Sequence, residues 1–281
     1  MKRIAASRIS ALLAVLMILA PSASCSRSPR PEEVPAAAEI TEGEGIGAAP
    51  TEETRESQSV LPAEESGAPW SESKRRLCFS EDGEFRILVF SDIHGPGTKV
   101  SALAKNNIAL LVEREEPDFV FFDGDNTWGL KDEETLRSCV EDMTEILEEK
   151  HIPWAHVYGN HDAEGDNLPK EKQQQIYESF DYCVSLSADP SLPGVGNYVL
   201  PVYASDGRAA FAVWALDSGQ YITSGERADL EPVGTVFQGY AGSVYDYIRP
   251  AQIAWYRETS AAMEEYAGGK IPGASVRYER A

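Results

Sequence analysis

Phe85-Arg86-Ile87-Leu88-Val89-Phe90-Ser91-Asp92-Ile93-His94 decides the fold. It is a short apolar run that ends in a turn carrying a carboxylate and an imidazole two residues apart. The pattern returns twice. Phe119-Val120-Phe121-Phe122 leads into Gly124-Asp125-Asn126, and Pro153 to Tyr158 leads into Gly159-Asn160-His161-Asp162. Between the runs, Val100, Leu103, Ala104, Ile108, Leu111 and Val112 recur at helical spacing, as do Leu136, Cys139, Val140, Met143, Ile146 and Leu147. Strand, helix, strand, helix, strand predicts right-handed βαβ units, hence an α/β fold on a parallel sheet. Ligands of open parallel sheets sit beyond the carboxyl ends of the strands. All three motifs fall there, so three distant stretches converge on one crevice.

Their chemistry is that of a metal site. Asp92 and His94, on one side of a strand end, can chelate a divalent cation. Asp125, in a Gly-Asp turn, has two carboxylate oxygens and can bridge two ions. Asn160 offers a neutral amide oxygen to the second. His161 is placed to hydrogen-bond a phosphate oxygen or to protonate a leaving group, with Asp162 to orient it. Two ions a few ångströms apart, about 3.5–4 Å, suit attack of water on phosphorus. Singly these motifs are weak; their order and their place after three strands make the joint signal.

Further along, residues 170–183 are expected to be helical. Tyr198 to Tyr203 and Ala209 to Leu216 read as strands joined through Asp206-Gly207, a hairpin signal. Residues 218–245 show no period and read as a long loop. A last helix begins near Pro250 and stops at Gly268-Gly269. His151, at an acidic helix end, and His156, inside the third strand, are read as structural. Asp123 is read as a turn residue and Asp217 as a turn or pocket residue. Cys139, on an apolar helix face, is expected to be a buried thiol.

Residues 1–24 have the layout of a secretory signal peptide. Lys2, Arg3 and Arg8 precede the apolar run Ala11 to Ala20, and small residues lead to Cys25. The run is well short of the roughly 20 apolar residues of a membrane span. Cys25 is a candidate lipid-attachment site, with plain secretion as the alternative. Residues 25–75, rich in Pro, Ala, Ser, Gly and Glu, read as a disordered acidic stem outside the fold. Residues 76–269 are the folded domain. The net charge of −21 lies mostly in that domain and argues against nucleic acid as a partner. It leaves small phosphoesters open, because bound cations reverse the local field.

Residues 85–256 resemble the calcineurin-like metallophosphoesterase superfamily, most closely its purple-acid-phosphatase-like branch. Phe90-Ser91-Asp92-Ile93-His94, Gly124-Asp125-Asn126, Gly159-Asn160-His161-Asp162, Gly196-Asn197-Tyr198 and Leu216-Asp217-Ser218-Gly219 carry the likeness. The resemblance implies that Asp92, His94 and Asp125 hold one metal (manganese, iron or zinc) and Asp125 and Asn160 a second. It makes His161 the catalytic acid or transition-state donor. Trp128 stands where true purple enzymes carry an iron-binding tyrosine, which disfavours a purple ferric centre. The family also supplies later histidines, whereas His161 is the last of the four here. After Lys270-Ile271-Pro272 the chain reads as a polar, aberrant tail, residues 270–281, and a C-terminal truncation is expected. The second sheet of the sandwich should then be incomplete and one sheet face partly bare. The function so implied is hydrolysis of phosphomonoesters or diesters outside the cytoplasm. The alternative is an impaired fragment or a non-enzymatic envelope lipoprotein.

Overall fold

The computed structural model describes residues 8–12, 68, 70–93, 100–165, 167–187, 189–222 and 245–276. The chain divides into two compact units, residues 1–19 with 60–281, and residues 20–59. The second unit lies outside the described residues, as do Cys25 and His94.

The first unit contains two four-stranded sheets. The strands are β1 Arg8–Leu12, β2 Leu77–Cys78, β3 Glu84–Phe90, β4 Phe119–Asp123, β5 Trp154–Val157, β6 Tyr198–Tyr203, β7 Ala209–Ala215 and β8 Gly273–Val276. The helices are α1 Ala102–Glu115, α2 Glu133–Glu149, α3 Lys170–Tyr177 and α4 Pro250–Ala267. The first sheet runs β1-β3-β4-β5, every pair parallel. The β3-α1-β4-α2-β5 order is the one the apolar runs predict. Helix starts follow local chemistry. Ser101 accepts from the Ala104 amide at the head of α1, and Asp132 accepts from Thr135 at the head of α2.

The runs are apolar on both faces because both faces are covered. On one side, Leu88, Phe90, Val120, Phe122 and Trp154 pack against Ala104 and Ile108 of α1 and Val140, Met143 and Leu147 of α2. Cys139 is buried in the same cluster. On the other, Phe85, Ile87, Phe119, Phe121, Ala155 and Val157 meet Tyr198, Leu200, Val202, Phe211, Val213 and Ala215 of the second sheet. The inner face expected to be partly bare is thus covered.

The second sheet runs β2-β6-β7-β8. The β6–β7 hairpin turns at Asp206-Gly207, with Gly207 at φ +81° and the Gly207 amide donating to Ala204 O at 2.9 Å. Its outer face, with Val199, Tyr203, Ala212 and Trp214, lies under Met263 of α4 and under Trp70. Trp70 lies within residues 25–75, the segment expected to stay outside the fold. Its indole donates to the Tyr203 hydroxyl at 3.3 Å and its ring meets Tyr266 edge-on at 5.2 Å. The folded part therefore takes in the end of the acidic segment. The tail expected to be aberrant supplies β8, parallel to β7 from Ala212↔Gly273 to Ala215↔Val276. Main-chain pairing with β7 asks only for an extended chain, so polar composition is a poor guide to it. Arg8–Leu12, inside the segment read as an export signal, pairs with the edge of β3.

α3 ends at Tyr177, six residues before the helix expected over 170–183. The chain turns at Glu178–Phe180 because the following segment extends along β5: the Trp154 amide donates to Tyr182 O at 3.0 Å and the Val184 amide to Trp154 O at 2.8 Å.

His156 is buried in β5, stacked on Tyr177 at 3.7 Å between ring centroids, with Nδ1 2.8 Å from the Ser185 hydroxyl. Burial drives its pKa from 6.5 down to about 3. A folded-state value below the unfolded one means stability that is complete above pH 6.5 and drains away as pH falls toward 3. Between neutral pH and about pH 5 the loss from this one group is about 2 kcal/mol. In urea unfolding at the two pH values, His156→Gln should remove that part of the acid sensitivity, whatever its effect at neutral pH. An unchanged difference between the two pH values would contradict it.

Candidate functional site

Because β3, β4 and β5 are neighbours and parallel, their carboxyl ends open on one edge of the first sheet. Phe90 pairs with Phe122 and Asp123 with Val157, so the loops that follow start side by side. They are stitched together. The Asp92 amide donates to Gly124 O at 3.2 Å, and Asn126 Nδ2 donates to Val157 O at 2.8 Å. The His161 amide donates to Asp125 Oδ1 at 2.8 Å. Asp92 and Asp125 hold left-handed backbone, φ +56° and +50°. Among residues with a side chain, asparagine and aspartate enter this region most readily.

Asp125 is fully buried, and Asn160 is buried beside it. Asn160 Nδ2 donates to Glu164 Oε1 at 3.1 Å, while its Oδ1 is buried and has no hydrogen-bond partner among the described residues. The Asn126, Asn167 and Gln173 amides share that state, and what distinguishes Asn160 is its place beside the buried Asp125 carboxylate, where its oxygen can serve a hard cation. Asp92 accepts from the Ser91 hydroxyl at 2.5 Å. Asp123 is crowded in with them: burial, then the charge of Asp92, pushes its pKa up to about 8. Carboxylates gathered this closely favour a bound cation as counter-charge. Among the described residues no three His, Cys, Asp or Glu side chains form a ready-made metal cluster. His94 is not one of those residues, and the present donors Asp92, Asp125 and Asn160 fit divalent ions.

His161 stands at the mouth. Its Nε2 is 4.0 Å from Asp125 Oδ2, and its ring is 5.5 Å from that of Trp128, an indole about two-fifths exposed (43%). The orienting role expected of Asp162 falls elsewhere. Asp162 Oδ1 accepts from the Thr127 amide at 2.8 Å and Oδ2 from the Gly159 amide at 2.8 Å, so its carboxylate ties the second motif to the third. Burial, with Asp125 adding, pushes its pKa up to about 7 against those two bonds. The group on the imidazole is Glu164, with Oε2 2.5 Å from His161 Nδ1. Burial opposes the charge on Glu164, but hydrogen bonds from Tyr221 and His161 outweigh it and hold its pKa below the usual value. Neither Glu164 nor Tyr221 stands out in the sequence; an acid three residues after His161 is the only trace.

His151 stacks on Tyr182 at 4.8 Å, away from the motifs. Asp217 is a structural tie. It pairs with Lys170 Nζ at 2.8 Å and accepts from the Val195 and Gly219 amides at 2.8 and 2.9 Å. It also borders a cavity of about 520 Å³ with Gly194, Asp246 and Arg249, which no residue of the Asp92, Asp125 and Asn160 loops lines.

A family model for calcineurin-like phosphoesterases matches residues 85–231, more than half of the chain. With three motif loops at the carboxyl edge of a βαβαβ sheet inside a two-sheet sandwich, the chain belongs to the calcineurin-like phosphoesterase family. It is similar to probable inactive purple acid phosphatase 14 of Arabidopsis thaliana, 28% identical over 216 residues, covering 68% of this chain and 50% of that protein. Probable inactive purple acid phosphatase 29 of the same plant is 25% identical over 225 residues, 72% of this chain and 54% of that protein. Phosphatase DCR2 of Saccharomyces cerevisiae is 26% identical over 208 residues, 66% of this chain and 33% of that protein. The chain spans about half the length of the two plant relatives.

Proposed function

We propose that the chain carries the catalytic edge of a metal-dependent phosphoesterase acting on phosphomonoesters or diesters. The observation that carries this reading is the buried Asn160 Oδ1, which has no hydrogen-bond partner among the described residues and lies beside the buried Asp125 carboxylate. Asp92, His94 and Asp125 would hold one divalent ion, and Asp125 and Asn160 another. Manganese, iron and zinc all suit such donors. Bound there, the pair would neutralise the phosphoryl oxygens and acidify the attacking water. The chain's own part is positional. Asp125, fixed by the His161 amide, is the carboxylate that would serve both ions. Asp162 locks the Thr127 and Gly159 loops at their spacing. His161 presents Nε2 toward the site, where the imidazolium form would donate to a phosphoryl oxygen or to the leaving group.

The test is turnover of an aryl phosphate by chelator-treated protein before and after adding manganese, zinc or iron. Restoration by metal supports the reading. Metal binding without turnover favours a second one, a non-catalytic phosphoester-binding protein, to which the names of the plant relatives lend support.

The basic-apolar-small layout of residues 1–24 supports export, with Cys25 as the lipid-bearing residue. Cleavage before Cys25 would remove β1 and leave β3 as an edge strand. Labelled palmitate should enter the wild-type protein in its host and fail to enter Cys25→Ser. Equal labelling of the two would rule out a lipid at Cys25.

A further inference from the structure

We propose that Glu164 is the positioning residue of this site, setting the tautomer of His161 and the orientation of the Asn160 amide together. The inference rests on the metal-dependent reading above and deepens it.

Glu164 follows the 3-10 turn His161–Ala163. In such a turn residues three apart eclipse one another, so the Glu164 side chain lies over that of His161. Its two oxygens are divided. Oε2 lies 2.5 Å from His161 Nδ1. Oε1 accepts from Asn160 Nδ2 at 3.1 Å and from the Tyr221 hydroxyl. Tyr221 is itself anchored by stacking on Tyr245 at 5.3 Å and by a β-bridge to it, so the carboxylate is held from a distant part of the chain as well.

The Asn160 amide and the Tyr221 hydroxyl bring hydrogens to Oε1, and an ionised carboxylate accepts at its other end as well, which places a hydrogen on His161 Nδ1. Two consequences follow. With Nδ1–H bonded to Glu164, Nε2 of neutral His161 is the lone-pair nitrogen, and it is the one near Asp125. With its NH2 bonded to Glu164, Asn160 has only Oδ1 to present to a cation, the buried oxygen without a hydrogen-bond partner among the described residues. One carboxylate thus sets both a proposed metal ligand and which imidazole nitrogen faces the site.

The discriminating variant is Glu164→Gln, nearly isosteric on a partly exposed side chain and able to accept at one end only. If its oxygen faces His161, its NH2 opposes the Asn160 NH2. If its oxygen faces Asn160, its NH2 meets Nδ1 and forces the proton to Nε2. The experiment uses the full chain with 15N-labelled histidine, four residues to assign. Nitrogen shifts report the His161 tautomer in its neutral state, calorimetry measures Mn2+ binding, and a thermal melt confirms folding. The wild type should show the Nδ1–H form. Glu164→Gln should either convert His161 to the Nε2–H form or weaken Mn2+ binding by about tenfold, the scale for losing a partner that orients a ligand. Glu164→Ala should do both. A wild-type Nε2–H tautomer, or a folded Glu164→Gln protein with tautomer and Mn2+ affinity both unchanged, overturns the proposal. If the tautomer or affinity changes appear in a protein that never turns over an aryl phosphate, the hydrolytic reading fails and the role of Glu164 stands.

Discussion

Asp125→Asn should leave a folded protein whose metal-dependent turnover of aryl phosphate is down by more than about 100-fold, beyond the 10–100-fold typical of losing an outer partner of a ligand. The substitution suits this position. Asp125 sits at φ +50°, a region asparagine tolerates about as well as aspartate. Its Oδ1 accepts the His161 amide at 2.8 Å, a bond the asparagine oxygen can keep. What is lost is the negative charge and the second anionic oxygen, the two properties required of a group shared between cations. Asparagine's nitrogen would point where Oδ2 now lies, and an NH2 cannot ligate. Stability and chemistry should therefore separate. The melting temperature should be little changed or raised, since a buried charge is removed beside Asp162, while Mn2+ binding falls with turnover. Turnover equal to wild type in a folded Asp125→Asn protein would remove Asp125 from the catalytic centre and assign any activity to another source.

The motifs were legible because each rests on local pattern. An apolar run buried on both faces reads as a strand whatever its neighbours are, and a parallel order then brings Asp92, Asp125 and Asn160 to one edge. The hairpin at Asp206-Gly207 and the limits of α4, Pro250 and Gly268, are equally local. The partner of His161 was not, because it depends on the turn adopted after Gly159. In a 3-10 turn, consecutive side chains point about 120° apart, so Asp162, adjacent in sequence, is carried away from the imidazole and into the loop of Thr127. Glu164 comes round in its place. The packing of Trp70 on Tyr203 spans 133 residues, and β8 is made by main-chain pairing with β7. Neither leaves a periodic trace, so composition alone put Trp70 in the stem and the tail outside the fold.

The largest effect on the fold is expected from Gly159→Ala. A Cβ on Gly159 would lie 2.3 Å from Asp125 Oδ1, 2.9 Å from its Cγ and 2.5 Å from its backbone nitrogen. A flexible side-chain end could swing aside. The amide nitrogen cannot, because Asp125 belongs to a left-handed turn bonded to its neighbours on both sides. The glycine is there for space, since its own backbone is not left-handed. The methyl group must push the second and third motif loops apart, against the Asp162 bonds that draw them together. The expected cost is about 3 kcal/mol, at the upper end for overpacking, which for a domain of this size lowers the melting temperature by about 6–12 °C. Gly83→Ala is the control. Gly83 holds φ +79° with open space around the position of a Cβ, so alanine there meets only the backbone strain of about 1–2 kcal/mol. If crowding governs, Gly159→Ala melts well below Gly83→Ala and also loses Mn2+ binding, because Asp125 and Asn160 no longer share one edge. If the two variants melt alike, with Mn2+ binding intact, the two loops do not approach as closely as the catalytic reading requires.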